Sequence, residues 1–476
     1  MRAKETTGAP RRHIAAVAAA MLVGCGASSQ GQRYGDMLVD LRRSAPAVAG
    51  ARSDGRDLFA GAAELDRAAL IEAVLARNPD VESARQAWRA ALAGVSQATA
   101  FEDPMLSYSF APLSIVDDKG IPYGQTVEVG QTFPFFGKRR LAGEVALAEA
   151  EAMKGELEQV RLELSVMASN LYDDYYVAAR ALDINRHHSE ILRQVRKSAE
   201  AQYVSGRASQ QDPLQAEVEL ETLGIERIAI ESMRDTAIAQ LNGLLHRPPG
   251  APLPPPVAVL AVPVPALQAD ASELETEALA HRPERAAASA RIRGGQAAID
   301  LARRESYPDL AVMASYSTMW FEPEHRWMVG LTLNVPLQLG RRRAAVDAAE
   351  ARTAQARSQD RSLRDRIAVE VATAQLRARE SARVVELTEQ RLVPAARDQL
   401  RAALAGFTAG RNQFTAVIDA EKNQRQVELR LHTARAELWR RLAALDRALG
   451  RPAGRAEPRD NERDRDRHGD GEGGGR

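Results

Sequence analysis

Four short segments of the chain alternate apolar residues with small or polar ones. In the first, residues 105–111, Leu106, Tyr108 and Phe110 share one face while serines occupy the other. The apolar positions of the other three segments are Val127, Val129 and Phe133, then Val312, Tyr316 and Trp320, then Trp327, Val329, Leu331 and Leu333. A period of two residues predicts β-strands with one apolar face.

Aromatic residues concentrate around these segments, which favours strands that cross a lipid bilayer. More than half of all aromatic residues fall within 101–136 and 307–327. Strands of a membrane barrel carry apolar side chains outward, small or polar ones inward, and aromatic residues near both interfaces. Half-buried hairpins of a soluble protein share the same alternation, so the strands alone leave both interpretations open.

Long helical stretches follow each pair of strands. Residues 138–203 contain no proline, and eight apolar residues there follow the spacing of a coiled-coil seam: Leu157, Val160, Leu164, Met167, Leu171, Tyr175, Ala178 and Leu182. A second stretch covers 341–393, and Pro394 is expected to kink it. After Gly410, one stripe carries Leu438, Leu442, Leu445 and Leu449. Helices of this length are expected to pack side by side as hairpins.

The two halves of the chain share landmarks at a constant offset of 204 residues. Pro79 corresponds to Pro283, Gly206 to Gly410 and Arg247 to Arg451. The unit is far longer than the repeats of solenoids or propellers. The chain therefore contains two copies of one module: a helix broken at its proline, two strands, a long helix, a glycine turn and a returning helix.

Four strands per chain are too few to close a barrel, so the strands predict an oligomer. Unpaired backbone groups facing lipid cost several kcal/mol each. Two chains would supply eight strands with a largely filled interior, whereas three would supply twelve with room for a lumen. Small inward residues such as Gly130, Ser315 and Gly330 favour three. The predicted fold class is mostly α with a membrane β-barrel portion.

The N-terminus has the pattern of a bacterial lipoprotein signal. Basic residues precede a short apolar run that ends at Leu22, Val23, Gly24 and Cys25. The run is too short for a bilayer span, which needs about 20 residues. Cys25 is the only cysteine and is the predicted lipid anchor, although a cysteine can also follow an apolar run by chance.

Changes in composition and the positions of proline and glycine divide the chain into six parts. The predicted ranges are a signal peptide at 1–24, an acylated linker at 25–60, a first repeat at 61–246, a proline-rich linker at 247–272, a second repeat at 273–452 and a disordered tail at 453–476.

Charge and chemistry exclude several functions. Lysine plus arginine and aspartate plus glutamate both number 64, so no net field favours nucleic acid. Catalytic triads, nucleotide loops and metal-spaced ligand sets do not stand out, and His187-His188 is the only adjacent histidine pair. We expect no enzyme activity, no cofactor and no resident metal.

The order of these parts resembles the TolC family of outer-membrane channels. The lipobox, the duplicated module and Phe-Pro-Phe-Phe-Gly-Lys-Arg-Arg at 133–140 carry the resemblance over roughly residues 60–452. It implies a homotrimer whose twelve-stranded barrel, in outer-membrane lipid, continues as an α-helical periplasmic tunnel. It also implies docking to a periplasmic adaptor and an inner-membrane pump of the RND type. The strand opening at 103–108 and the 133–140 segment look most like the heavy-metal efflux branch.

The resemblance also implies roles for single residues. Gly206, Arg207, Gly410 and Arg411 match the family's periplasmic tips, where adaptors bind, although both arginines could equally be surface charges. Asp419 matches an acidic position that constricts the closed entrance, and its alternative is a solvated helix residue. A second acid of the family, three residues earlier, is Ala416 here.

The function implied is a passive trimeric duct that exports metal ions or small toxic compounds to the exterior. The main alternative is a structural coiled-coil periplasmic lipoprotein without channel activity. A periplasmic adaptor is a third interpretation, but the β-rich segments of that class do not appear in the sequence.

Overall fold

The structure, a computed structural model, describes residues 29–44, 59, 61–112, 124–261 and 269–453. The signal peptide, Cys25 and the tail from residue 454 lie outside the described residues, and so do 113–123 between the first two strands and 262–268 of the linker. Within the described part, no helix combines the length and the apolar character that a membrane span requires.

The first repeat follows the predicted order of elements. A separate helix, α1 (Ser29–Arg43), precedes it. The repeat itself contains α2 (Arg67–Arg77), α3 (Pro79–Thr99), β1 (Met105–Phe110), β2 (Gln125–Phe133), α4 (Lys138–Val204) and α5 (Gln211–Leu244). The predicted break at Asn78-Pro79 is confirmed, because α2 ends before Asn78 and α3 begins with the proline, whose missing N–H costs nothing in a first turn.

The second repeat reproduces this order. It contains α6 (Ala271–His281), α7 (Pro283–Arg304), β3 (Leu310–Ser317), a 3-10 turn (Pro323–Arg326) and β4 (Trp327–Leu333). The long helix follows in two parts, α8 (Leu339–Leu387) and α9 (Val393–Thr408), and α10 (Phe414–Leu449) returns. A π-helical turn at Thr388–Leu392 separates α8 from α9. This is the predicted break, because Pro394 cannot donate a hydrogen bond to the preceding turn.

The four strands form one antiparallel sheet in the order β1-β2-β3-β4. Leu106 lies opposite Val129, Val127 opposite Tyr316, and Tyr316 opposite Trp327. Residues directly opposite each other in a sheet share a face, so the predicted apolar positions within the strands all fall on one face.

The chain divides into two units, 1–45, 87–151 and 290–356 against 46–86, 152–289 and 357–476. The first unit holds the sheet. In the same unit Trp88, Leu92 and Val95 of α3 are buried, and a β-carbon on Gly294 would lie 2.8 Å from that of Ala148. Small residues therefore allow α7 to approach α4 closely in this unit.

Tyrosines of α4 organise one core of the second unit. Tyr172, Tyr175 and Tyr176 pack against Leu70 and Leu241. Each buried tyrosine hydroxyl needs a partner. The hydroxyl of Tyr172 donates to the carbonyl oxygen of Leu65 at 2.9 Å, and that of Tyr175 to Pro254 at 3.1 Å. The described start of the proline-rich linker is thus part of this core.

The predicted seam along α4 is partly wrong. Leu157, Leu164, Tyr175 and Ala178 are buried, but Met167 is half exposed. Its neighbour Ala168 is buried instead, followed by Tyr172 and Tyr176. The buried stripe in this part of α4 therefore lies one position away from the predicted one. The predicted stripe of α10 is confirmed, since Leu438, Leu442, Leu445 and Leu449 are all buried.

Candidate functional site

The first candidate surface is the apolar face of the sheet. Leu106 is 74% exposed and Val329 79% exposed in the single chain. The ring of Tyr316 lies 5.0 Å from that of Trp327. On this face lie the predicted residues Leu106, Tyr108, Phe110, Val127, Val129, Phe133, Val312, Tyr316, Trp327, Val329, Leu331 and Leu333. The structure therefore brings together twelve of the thirteen predicted strand residues.

Trp320 is the exception, and its assignment to a strand is wrong. Strand β3 ends at Ser317, so Trp320 lies three residues beyond its last residue. Trp320 lies in the connection to the 3-10 turn, where its carbonyl oxygen accepts a hydrogen bond from the Arg326 Nε at 3.1 Å. The alternation continued past the point where the hydrogen-bonded ladder stops.

The opposite face of the sheet carries mostly small and polar side chains, together with Met105, Met313 and Met328. Glu128 lies between Ser107 and Ser315 in the register, and the hydroxyls of Thr126 and Ser317 are 3.0 Å apart. A β-carbon on Gly330 would lie 3.0 Å from the Met313 side chain. A sheet with one apolar and one small, polar face is suited to separate lipid from water.

The second candidate surface consists of the two glycine turns. Gly206 has a φ of +76° and Gly410 a φ of +67°, a region that favours glycine. After each glycine the arginine N–H donates across the turn at 2.8 Å, from Arg207 to the carbonyl of Gln202 and from Arg411 to that of Gly406. The two turns are therefore the same helix-ending motif, as predicted, and both arginine side chains are exposed.

The tips beyond these turns differ. In the second hairpin, Phe407 packs edge to face on Phe414 with ring centroids 5.3 Å apart, and both are buried. In the first hairpin the equivalent of Phe407 is Tyr203, which is exposed together with Val204. Leu214 and Val218, at the start of α5, line an open groove. The first tip presents apolar surface and the second encloses it.

Asp419 lies on α10, nine residues past the second turn. Its side chain is exposed, while those of Ile418 and Ala420 on either side are buried. No ion pair of Asp419 is found within the described residues. The structure thus places it on the outer face of the hairpin, free to contribute negative charge to whatever that face lines.

A buried ionic cluster that the sequence did not indicate joins the two repeats. His188 of α4 places Nδ1 2.9 Å from Glu421 and Nε2 3.2 Å from Glu428, both on α10. His188 and Glu421 are fully buried. Around them, Arg425 contacts Glu219 of α5 at 3.1 Å, and Arg397 of α9 lies 3.5 Å from Glu428.

The geometry of this cluster explains its protonation. Burial alone would lower the pKa of His188, but the hydrogen bonds to Glu421 and Glu428 outweigh it and raise the pKa. The hydrogen bond from His188 lowers the pKa of Glu428 to about 2. An imidazole with acceptors at both nitrogens is bound as the doubly protonated cation. His188 therefore clamps α4 to α10 through both of its ring nitrogens.

Among the described residues, no group of three or more histidine, cysteine, aspartate or glutamate side chains has the arrangement of a metal site. The other member of the adjacent histidine pair, His187, is exposed, and its ring lies 5.6 Å from that of His188.

Comparison with known proteins identifies the architecture. The model of the family described as outer membrane efflux protein matches residues 70–246 and 274–451. The cobalt-zinc-cadmium resistance protein CzcC of Cupriavidus metallidurans is 23% identical over 379 residues, which cover 75% of this chain and 83% of that protein.

Solved structures show the same fold. The structure of CusC, described for its transmembrane channel formation, aligns with a TM-score of 0.69 and 20% identity over 82% of this chain and 93% of that one. The open state of the MtrE outer membrane channel of Neisseria gonorrhoeae aligns with a TM-score of 0.67 and 18% identity, over 82% and 90% of the two chains.

Proposed function

This chain belongs to the outer membrane efflux protein family, and from that premise we propose that it is the trimeric duct through which a tripartite assembly exports metal cations. The observation that carries the proposal is the sheet, with one apolar face, one small and polar face, and outer edges on β1 and β4 that lack a strand partner among the described residues. Three copies joined edge to edge would supply twelve strands and close a barrel around a lumen.

Family membership fixes the coarser features. The protein is an outer-membrane efflux channel that extends into the periplasm, and members of the family form trimers and work with periplasmic adaptors and inner-membrane pumps. We propose in addition that the pump is of the RND type, that Cys25 carries a lipid anchor and that the barrel contacts outer-membrane lipid directly. Cys25 lies four residues before α1, and labelling with a radioactive fatty acid, lost in Cys25→Ser, would test the anchor.

The proposed cargo rests on CzcC, whose name describes resistance to cobalt, zinc and cadmium and which aligns along most of both chains. Deleting the gene should raise the cellular content of these cations, measured by mass spectrometry, and a plasmid copy should restore it. Accumulation of an organic dye is the matched control. If the deletion raises the dye content and leaves all three metals unchanged, the cargo is a small organic compound and not a metal.

The two turns are the proposed contact with the adaptor. The turn at Gly206 has the same backbone geometry as the turn at Gly410. Arg207 follows the first glycine and Arg411 the second, and both side chains are exposed. We expect Arg411→Glu to reduce chemical crosslinking to the adaptor at least about tenfold, because charge reversal at an interface commonly costs more than 1.4 kcal/mol. Trimers should persist.

Arg430→Glu, at an exposed position of α10 away from the turn, is the matched control and should crosslink normally. Loss of the trimer in Arg411→Glu, or equal loss of crosslinking in both variants, would contradict the assignment of the tips.

Asp419 is the proposed acidic constriction of the entrance. In a trimer its exposed side chain on α10 would form a ring with the Asp419 side chains of the two other subunits. The negative charge of such a ring attracts cations. Ala416 supplies no second acid three residues earlier, so one ring of three carboxylates replaces the family's two.

A further inference from the structure

Glu128 is the single charged residue in the four strands. The strand sequences are MLSYSF, QTVEVGQTF, LAVMASYS and WMVGLTL, and only the second contains an acid or a base. Strand β2 lies inside the sheet, between β1 and β3. A charge in the middle of a short sheet needs a physical reason, because transferring it to lipid costs energy.

The register places Glu128 on the small, polar face. It lies opposite Ser107 on one side and Ser315 on the other, and its side chain is half-buried between them. Its neighbours along β2, Val127 and Val129, are on the apolar face and exposed. The carboxylate is therefore on the side of the sheet opposite the one suited to lipid.

Within the described residues, no cation is paired with Glu128. The basic residues of the described part that follow Glu128 most closely in sequence are already engaged: Lys138 forms an ion pair with Asp309 at 2.7 Å, and Arg139 donates to the carbonyl oxygen of Thr99 at 2.9 Å. Arg326, beside β4, donates to the carbonyl of Trp320. The negative charge of Glu128 is thus left to act on mobile ions.

The second repeat does not supply an equivalent charge. In the register of the sheet, Glu128 lies opposite Ser315 of β3, which lies opposite Met328 of β4. By the internal repeat, the positions of β4 that correspond best to Glu128 are Gly330 and Thr332. The four strands of each chain therefore contribute one carboxylate, and a trimer would hold a ring of three at this level of its barrel.

We propose that Glu128 makes the barrel lumen selective for cations over anions. The inference rests on the proposed trimeric channel and adds a determinant of its selectivity. Rings of carboxylates in a pore raise the local concentration of cations and lower that of anions. Because the Debye length is about 10 Å at 0.1 M salt and about 3 Å at 1 M, the preference should weaken as salt is raised.

The test is the reversal potential of purified full-length protein in planar bilayers under a gradient of potassium chloride. The wild-type pores should prefer potassium, Glu128→Gln should lose most of the reversal potential, and Glu128→Lys should reverse its sign. Glu128→Asp, which keeps the negative charge, is the matched control and should keep the cation preference. Adding Thr332→Glu to Glu128→Gln should restore the preference, since Thr332 lies on the same face of the sheet.

A second variant covers the case in which a substitution impairs assembly. Glu128→Cys, modified after the trimer has formed, should become cation-selective with a sulfonate-bearing thiol reagent and anion-selective with a trimethylammonium-bearing one. Unchanged selectivity in Glu128→Gln and in both modified forms would overturn this inference alone. Absence of any conductance in the wild-type trimer would overturn the proposed channel, and the selectivity determinant with it.

Discussion

The tip of the first hairpin leaves its apolar side chains exposed, whereas the tip of the second hairpin buries them. Tyr203 is 44% exposed, but its equivalent Phe407 is buried against Phe414, which is only 2% exposed. The glycine turns are nevertheless alike in φ and in hydrogen bonding. The duplication has thus kept the backbone of the turn in both copies, while the side chains around it have diverged.

The long helices and the ends of the repeats also differ between the two copies. Helix α4 runs for 67 residues without interruption, but the second copy is broken by the π-helical turn before Pro394. His188, which clamps α4 to α10, corresponds to Leu392 in that turn. The first repeat ends on His246 with a φ of 54°, and the second on Gly450 with a φ of +79°. At each of these differences, a residue of one repeat can be substituted while the equivalent residue of the other repeat serves as the control.

The largest effect is expected at His188. His188→Ala leaves the fully buried Glu421 without its hydrogen-bonded partner, and losing one member of a buried ionic pair costs about 3–5 kcal/mol. Hydrogen exchange of amides in α4 and α10 measures the loss locally, which suits a chain of two units that need not unfold in one step. The exposed neighbour variant, His187→Ala, should change exchange little. Equal protection in wild type and His188→Ala would contradict the clamp.

The same cluster predicts a pH dependence. The pKa of His188 is raised in the folded chain above its unfolded value of 6.5. The stability that His188 contributes to the fold is therefore complete below pH 6.5 and is lost as the pH rises through the pKa of the folded state. The pKa of Glu428 is lowered from 4.5 to about 2, so its stabilisation is complete above 4.5 and lost as pH falls toward 2. Protection of α4 and α10 should therefore be greatest between these limits, and His188→Ala should remove the decline at higher pH.

The next effect separates the two tips. Phe414→Ala removes a buried ring and should destabilise the second tip by about 3 kcal/mol. Tyr203→Ala, at the exposed equivalent of Phe407, should cost about 0.5 kcal/mol or less. Hydrogen exchange at the ends of α9 and α4 compares them directly. Similar costs at the two positions would show that the packing difference does not exist in solution.

The smallest effect concerns the repeat ends. Gly450→Ala places a β-carbon 2.9 Å from the backbone of His281 in a conformation that disfavours it, and should cost about 2 kcal/mol. His246→Gly should instead stabilise the first repeat by about 0.5 kcal/mol, because it relieves the left-handed strain of a non-glycine residue at some entropic cost. The opposite signs can be read from thermal unfolding, and two losses of the same size would contradict the comparison.

Local pattern predicted much of this molecule. Strand alternation placed twelve residues on one face, and prolines and glycines marked the helix breaks and turns, because these signals depend on neighbouring residues only. Trp320 was misplaced because alternation of residue types does not show where the hydrogen-bonded ladder ends. The exposure of Met167 was not predicted, because burial on α4 depends on residues far along the chain, such as Leu65 and Pro254, which accept hydrogen bonds from its tyrosines. The His188 cluster escaped notice because its glutamates lie 233 and 240 positions away.

Single-channel recording of the protein purified from the outer membrane tests the central claim most directly. We expect discrete, passive conductance steps in planar bilayers from a fraction that migrates as a trimer, since three copies of the sheet are needed to close the barrel. A well-folded helical protein that stays monomeric in detergent and gives no steps at any applied voltage would contradict the channel.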